Sequence, residues 1–557
     1  MLPGGRGASE STTCGEEALV ELPGTLGLGD AMSRATVVRQ ASAVYSATQA
    51  MVALSAAWTA GHSSIESMHE RDARALGVVL GLERSPSVRT LWRAIEQMTE
   101  RYDPVQWWAG WIMALVKTCP PTLPVWGVDG HFKAYSGDEP IDKGWNTKRR
   151  LVERGLSTVR VTDLHGMTWS DLPVRANDSL HGHVAATASM LREAQTIEAG
   201  ETGVLVRPVV LAFDRGGFDF DVLNALDAQG DCYLSWVPRS VALPDLNAIA
   251  PDTDGVGEVL WTSAALGKIF APGGDMQMGE SRVKVEIHPR IAHISRLLVE
   301  RDGSATVPAV TNLPPWVDAA EAMRLLRAAR GVEENSIKAA RHFVSIDHLD
   351  DRGALGHRPD DRPIPNPVRL ERQALLKALQ GAELQLRRER PVPGERPQRE
   401  INGDLIVNGV HRQLVREQIA SLPEKVERRS VDPEAERAEL DVRNRQLLLP
   451  LKDATENARR WLLSMLAEGL SPSAHEYDQD TRARTLESLL RSPGTVTFHP
   501  MEVTIEMPLP PTPHQRLTAA LLALDGRGLC FLDGRPLRFR LAPRPTRTDL
   551  DGTDSTA

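Results

Sequence analysis

Along the chain, apolar residues recur first with a helical period, then with a strand-like period, then with a mixture of both. Met32 to Ala60 is alanine-rich and apolar in a helical pattern. Ser63 and Glu66 form an S-x-x-E start signature for a further helix. Ala73 to Leu82 follows. Ser85 and Pro86 then read as the N-cap and first residue of a helix over Ser87 to Met98, with Leu91 and Ile95 on one face and Arg89 and Arg93 on another. Trp107, Trp108 and Trp111 predict a packing helix. From residue 121 the pattern changes. Pro124 to His131, Phe132 to Tyr135 beyond a turn at Gly130, and Ser157 to Asp163 read as three strands. Asp178 to Ala199 predicts a helix, Val209 to Phe213 a buried strand, Phe218 to Ala228 a helix and Cys232 to Val237 another strand. Residues 238–312 hold the segments Gly257 to Trp261, Ser281 to Ile287, His293 to Val299 and Ala305 to Thr311, which predict antiparallel strands. Trp316 to Phe343 has a long helical pattern, with a candidate bend at Gly331.

The last third is mixed. Residues 354–369 and 391–399 read as linkers, and between them Leu370 to Arg390 is a charged helix. Its Leu375, Leu379, Leu384 and Leu386 offer a partner face for a short coiled coil. Leu414 to Leu470 is mixed helical, Thr481 to Leu490 a short amphipathic helix, Thr495 to Met507 extended, Leu517 to Leu524 helical and Phe531 to Leu541 a closing hairpin. Four regions result: a helical amino-terminal domain over 1–120, an α/β core over 121–353 with its β-rich insertion at 238–312, a linker and charged helix over 354–400, and a mixed α+β region over 401–557.

Composition narrows the function classes. The chain has 557 residues, 41% hydrophobic and 25% charged, as in globular proteins. Cys14, Cys119, Cys232 and Cys530 lie far apart without ligand-like spacing, which argues against a zinc cluster or a disulfide scaffold. No apolar run is long enough to span a bilayer, and the early residues, with Arg6 as their only base, lack a secretory leader pattern. The expected location is cytoplasmic, with no membrane partner. A net charge of -9 counts against DNA binding by bulk charge alone, so any such contact rests on local patches. Arg89 and Arg93 would be one, on the second helix of a candidate helix-turn-helix; a helical bundle with solvated arginines explains the same pattern. Arg387 and Arg388 would be another, although a helix's negative end also favours cations there.

The candidate chemistry lies in three carboxylates. Asp129 ends one strand and Asp214 another, and Gly216-Gly217 after Asp214 marks a turn. Three strands, helix, strand, helix, strand is the element order of the ribonuclease H-like fold, where the first and fourth strands are neighbours, so the two acids can face one site. Glu334 and Lys338 share a helix face with Arg341 near it; the plain alternative is a solvated pair.

V-D-G-H with Asp129, A-F-D-R-G-G with Asp214 and R-G-V-E-E-N-S-I-K over Arg330 to Lys338 resemble the signature of DDE-type insertion-sequence transposases. His342 to Asp351 resembles the segment that follows in that family. Glu334 matches the third acid; Glu333 is the other register. The resemblance covers roughly residues 120–353. It implies a ribonuclease H-like domain with a β-rich insertion before the last acid, acting on double-stranded DNA at element ends and target, with a homodimer as a candidate assembly. It also implies Mg²⁺ or Mn²⁺, Asp214 bridging two ions and Asp129 and Glu334 holding one each. Lys338 and Arg341 would contact phosphate or balance the site; His131 and Asp163 would support it; Asp219 and Asp221 would be solvated. The competing class is a catalytically inactive, transposase-derived DNA-binding protein.

Overall fold

The computed structural model describes residues 9–11, 28–35, 43–59, 62, 64–70, 73–80, 82–203, 205–246, 249, 256–263, 275–278, 281–302, 305–347, 354–388, 397–469, 494–508, 525, 529–531 and 535–542. Two compact units share the chain: one of residues 1–135, 143–352 and 441–557, the other of residues 136–142 and 353–440. The predicted helices at Thr481 to Leu490 and Leu517 to Leu524 lie outside the described residues.

The larger unit begins with helices α1 (Leu28–Arg34), α2 (Ala47–Thr59), α3 (Ala73–Val79), α4 (Val88–Thr99) and α5 (Pro104–Thr118). The cap of α4 is Ser87, whose hydroxyl accepts from the Thr90 N–H at 3.2 Å. Ser85, expected as the cap, is instead tied to the start of α3 by its N–H to the Ala73 carbonyl at 2.8 Å. Asp103 caps α5 ahead of Pro104, and Trp107, Trp108 and Trp111 on that helix are fully buried.

An eleven-stranded sheet forms the centre of the unit. Its strands are β2 (Val125–Ala134), β3 (Lys143–Asn146), β4 (Leu151–Asp163), β5 (Thr168–Val174), β6 (Val210–Phe213), β7 (Cys232–Trp236), β8 (Val256–Thr262), β9 (Asp275–Met278), β10 (Ser281–Ile287), β11 (Ser295–Asp302) and β12 (Ala305–Thr311). Their order is β3-β4-β2-β6-β7-β12-β11-β8-β10-β9, with β5 also on β4. β6 lies parallel to both β2 and β7, while β2, β4 and β5 run antiparallel in succession. The crossovers between parallel strands carry α6 (His181–Thr202) and α7 (Phe220–Ala228).

Several expectations are corrected. Gly130 is not a turn: β2 runs through it, paired with β4 from Trp126↔Asp163 to Ala134↔Gly155. The chain reverses instead through the β3–β4 hairpin. β5 escaped the pattern reading because Ser170 and Asp171 are buried within it, so its polarity does not alternate with its burial. β10 pairs in parallel with β8, not antiparallel, since β9 intervenes in sequence and takes the outer edge. The long helix α8 (Ala319–Phe343) continues through Gly331.

Alternation along β6 supplies both faces of the core, as a central parallel strand requires. Val210 and Ala212 pack with Ala322, Met323, Leu326 and Ala329 of α8. Leu211 and Phe213 belong to the opposite layer, with Leu191 of α6, Trp111 of α5 and Leu447, Leu451 and Ala458 of a helix from the carboxyl-terminal third. A further sheet in order β1-β17-β18-β19 joins β1 (Ser9–Ser11) to β17 (Gly494–Phe498), β18 (Val503–Pro508) and β19 (Leu537–Ala542). The expected closing hairpin thus ends in a strand lying parallel to β18.

In the smaller unit, the expected linker over 354–369 contains β13 (Ala354–Pro359) and β14 (Pro363–Pro365), paired with β16 (Glu436–Leu440) and β15 (Lys425–Glu427). These pairings span some 60 to 85 residues, beyond the reach of a local pattern. Helices α9 (Pro367–Arg388) and α10 (Gln398–Ser421) form an antiparallel pair, in which Arg369 donates to the Ile419 carbonyl and Asn408 to the Leu379 carbonyl. A short helix α11 (Arg428–Val431) follows β15. Arg387 is ion-paired with Glu383 and Arg388 is exposed. No described helix of the chain is long and apolar enough to cross a membrane.

The carboxyl-terminal helix α12 (Arg443–Gly469) carries polar side chains into the core of the larger unit. Arg160 of β4 is fully buried between Asp171 at 2.7 Å and Asp453 of α12 at 2.9 Å. Asn457 closes the free edge of β5: its Oδ1 accepts from the Thr168 N–H and its Nδ2 donates to the Thr168 carbonyl, both at 2.7 Å. Leucine at this position would keep the bulk but leave a buried backbone N–H without its acceptor and weaken the carbonyl's pairing. Asn457→Leu is therefore expected to cost about 2 kcal/mol or more in chemical denaturation; a loss under about 0.5 kcal/mol would show that β5 does not need this edge.

Candidate active site

Parallel pairing of β2 and β6 brings two acids side by side. Val128 lies opposite Phe213, and each is followed by an aspartate, Asp129 and Asp214. Asp214 sits just past the end of β6 at a tight turn, where its Oδ1 accepts from the Gly216 N–H at 2.7 Å. A Cβ on Gly217 would fall 2.7 Å from the Phe213 ring, so the turn requires glycine there. Burial and then the negative charge of Asp129 raise the pKa of Asp214 above the usual carboxylate range.

Helix α8 covers these acids. It lies close over β2 at Gly127, where a Cβ would stand 3.3 Å from the Ala329 carbonyl. Arg330, the next residue, reaches in, its Nη1 3.2 Å from Asp129 Oδ2 and 2.6 Å from Glu333 Oε2. Glu333 is fully buried. Burial, then the hydrogen bond and charge of Asp129, push its pKa up to about 10. Glu333 is accordingly protonated at neutral pH. Its Oε2 accepts from Arg330, and the neighbouring Asp129 charge disfavours ionisation of the buried carboxyl.

Glu334 points elsewhere. One residue along a helix turns the side chain by about 100°, and Glu334 is 59% exposed, with Lys338 Nζ at 4.0 Å. It lines the same cavity of about 1030 Å³ as Asp129, Asp214 and Arg330. The two registers thus differ in kind, Glu333 packed against Asp129 and Glu334 open to the cavity. Among the described residues no group of three or more His, Cys, Asp and Glu side chains stands ready to hold a metal ion.

One wall of the cavity is braced by a cluster of which Asp347 had not been singled out from the sequence. His131 lies two residues beyond Asp129 on β2, with its Nε2 2.7 Å from Asp347 Oδ1. Arg341 Nε is 2.7 Å from Asp347 Oδ2, and its Nη2 lies 3.3 Å from His131 Nδ1. Burial alone would raise Asp347, but His131 and Arg341 hold its pKa down to about 2. Asp347 belongs to the stretch His342 to Asp351, whose resemblance to the family segment after this helix is its signal in the sequence. Asp163, expected as a supporting group, instead closes the β4–β5 turn by accepting from the His165 and Met167 N–H groups and the Trp169 indole. Asp219 caps α7 and Asp221 is 88% exposed. Arg89 and Arg93 are exposed on α4 and do not line the cavity.

The protonated state of Glu333 has a pH consequence. Its value is about 10 in the folded protein against an ordinary 4.5, so its contribution to stability is full below the unfolded value and drains away as pH rises toward 10. The thermal midpoint of the wild type is expected to fall between pH 6 and 9 more steeply than that of Glu333→Gln, which keeps the hydrogen bonds and cannot ionise. Equal slopes would rule out a proton on Glu333.

Residues 18–221 match the model of a family described as a transposase protein. No match was found among curated proteins. Among solved structures, the cryo-EM structure of the piggyBac transposase synaptic complex with hairpin DNA is 9% identical, with a TM-score of 0.33, over 87% of this chain and 88% of that one. A likeness that distant carries no weight for the site. The family match takes in Asp129 and Asp214 and stops short of α8. Over residues 18–221 the chain is similar to transposases, in keeping with the resemblance borne by its motifs.

Proposed function

We propose that the chain is a DDE-type DNA transposase with a ribonuclease H-like core, cleaving DNA strands at element ends and transferring them to target DNA. The strand order β5-β4-β2-β6-β7, with the first three strands antiparallel and the last two joined in parallel, supports that core. The observation that carries the functional reading is the pairing of Asp129 and Asp214, one position past a matched pair on adjacent parallel strands, both lining a cavity of about 1030 Å³.

The donor chemistry fits a divalent metal in part. Burial, and then repulsion between two hard carboxylates on neighbouring strands, raise Asp214, and positive charge near them relieves the repulsion. Mg²⁺ or Mn²⁺ held by Asp129 and Asp214, with Glu334 as the third carboxylate, would supply activation of the attacking oxygen and stabilisation of the leaving one. The chain's own residues do the rest. Arg330 offsets the charge of Asp129 and fixes its orientation. Lys338, on the cavity rim, is placed to neutralise a backbone phosphate, and Arg341, fixed by Asp347 and His131, presents a second cation.

The second reading, a catalytically silent DNA-binding relative, is favoured by one feature: three acids are not gathered, because Glu333 is sealed beside Asp129 while Glu334 stands apart. Strand cleavage on the element's own terminal DNA separates the two. Wild-type protein is expected to cut in Mg²⁺ or Mn²⁺ and not in chelator. Asp214→Asn and Glu334→Gln should each lower the rate at least about a hundredfold without unfolding the protein, since both remove a charge rather than bulk. Undiminished metal-dependent cutting by Asp214→Asn would sink the mechanism. Binding without cutting by the wild type would establish the silent relative.

A further inference from the structure

The hairpin of β3 and β4 presents an aromatic side chain among cations on the same cavity. Its sequence is K-G-W-N-T-K-R-R over residues 143–150. One face is fastened to the body of the sheet by glycines. A Cβ on Gly144 would collide with the Ala176 carbonyl and fall 2.7 Å from the Phe132 ring, and one on Gly155 would meet the same ring. That packing fixes the register, and alternation then sends Trp145 to the other face. Trp145 is 55% exposed, and Val152, directly opposite it on β4, is 60% exposed. Most tryptophans of this chain are buried, Trp126 and Trp169 of the same sheet almost completely.

The turn is held in shape. Asn146 Oδ1 accepts from the N–H groups of Lys148 and Arg149, and its amide donates to Glu153. Arg150 adopts a left-handed φ of 54°. Arg149 is 3.0 Å from Glu153 and 65% exposed, while Lys143 and Lys148 are exposed around Trp145. Lys143, Trp145, Lys148, Arg149 and Val152 line the cavity that Asp129 and Asp214 also line.

A planar apolar face ringed by cations suits an aromatic, anionic partner. Bases within a duplex are stacked on one another and show only their edges in the grooves, whereas an unpaired base offers its flat face and brings a phosphate on either side. We propose that the β3–β4 hairpin is a stacking platform for an unpaired base of a DNA strand, with Trp145 and Val152 as its face and Lys143, Lys148 and Arg149 as its phosphate contacts. The proposal rests on the DNA reading above and adds a preference for frayed or single-stranded ends, delivered to the cavity that holds the two aspartates.

Two probes test it on the full chain: a blunt duplex, and the same duplex with a short unpaired 3′ tail carrying 2-aminopurine. Wild-type protein is expected to bind the tailed probe more tightly and to quench its fluorescence. Trp145→Ala should lose about tenfold in affinity for the tailed probe and lose the quenching, with binding to the blunt duplex unchanged. Trp145→Phe should retain most of both. Replacing Lys148 and Arg149 together by alanine should flatten the salt dependence of binding. If Trp145→Ala matches the wild type on the tailed probe, or loses affinity equally for both probes without rescue by Trp145→Phe, the platform is refuted while the DNA reading stands. If the wild type binds neither probe, the DNA reading falls and the platform with it.

Discussion

Two like charges forced together by a backbone pairing are the constraint around which the larger unit is arranged. Hydrogen bonding between β2 and β6 sets Asp129 and Asp214 at matching positions, and neither can move away without breaking the register of the central strands. Repulsion is relieved by Arg330, which can reach only because Gly127 lets α8 lie close over β2. The same arginine holds Glu333, whose proton keeps a third negative charge out of the core. One guanidinium therefore mediates among three carboxyl groups, and the strand pairing, the glycine contact and the helix position all serve that arrangement.

Helix α8 divides its duties by face. Leu326, Ala329, Glu333, Ser336 and Ala340 lie inward, while Arg330, Glu334, Ile337, Lys338 and Arg341 line the cavity. At its end, Arg341 joins Asp347 and His131, so the helix is fastened to β2 at two points: Arg330 on Asp129, and Arg341 through Asp347 on His131.

Much of the core was legible because its strongest feature is local. The run Val209 to Phe213 is apolar throughout, as a strand covered on both faces must be, and the acid and glycines that follow read directly as a strand end and turn. Phase within α8 was also written in the chain: Ala329 and Ala340 place position 333 on the buried face and turn 334 outward, although two adjacent glutamates hide the distinction. β5 was not legible, because Ser170 and Asp171 look like surface residues until Arg160 is known to lie beside them. The buried polar face of α12, in a stretch that reads only as mixed helical, was not legible for the same reason. Asp453, Glu456 and Asn457 have the composition of a solvated face, yet all are fully buried, paired with Arg160, with Arg459 and with the backbone of Thr168. Local pattern reports polarity, and it cannot report that a polar side chain has found its partner several hundred residues away.

That last pairing bears on how the molecule comes into being. Asn457 meets Thr168 across 289 positions of sequence. A ribosome adding about 5–20 residues per second needs roughly 15–60 s to cover that distance. Throughout that interval the nascent sheet carries an open edge at β5 and an Arg160 with only one of its two carboxylate partners, awaiting a helix not yet made. The layer behind the two aspartates is therefore completed late in synthesis, and a chain released early has the acids but not the helix that backs them.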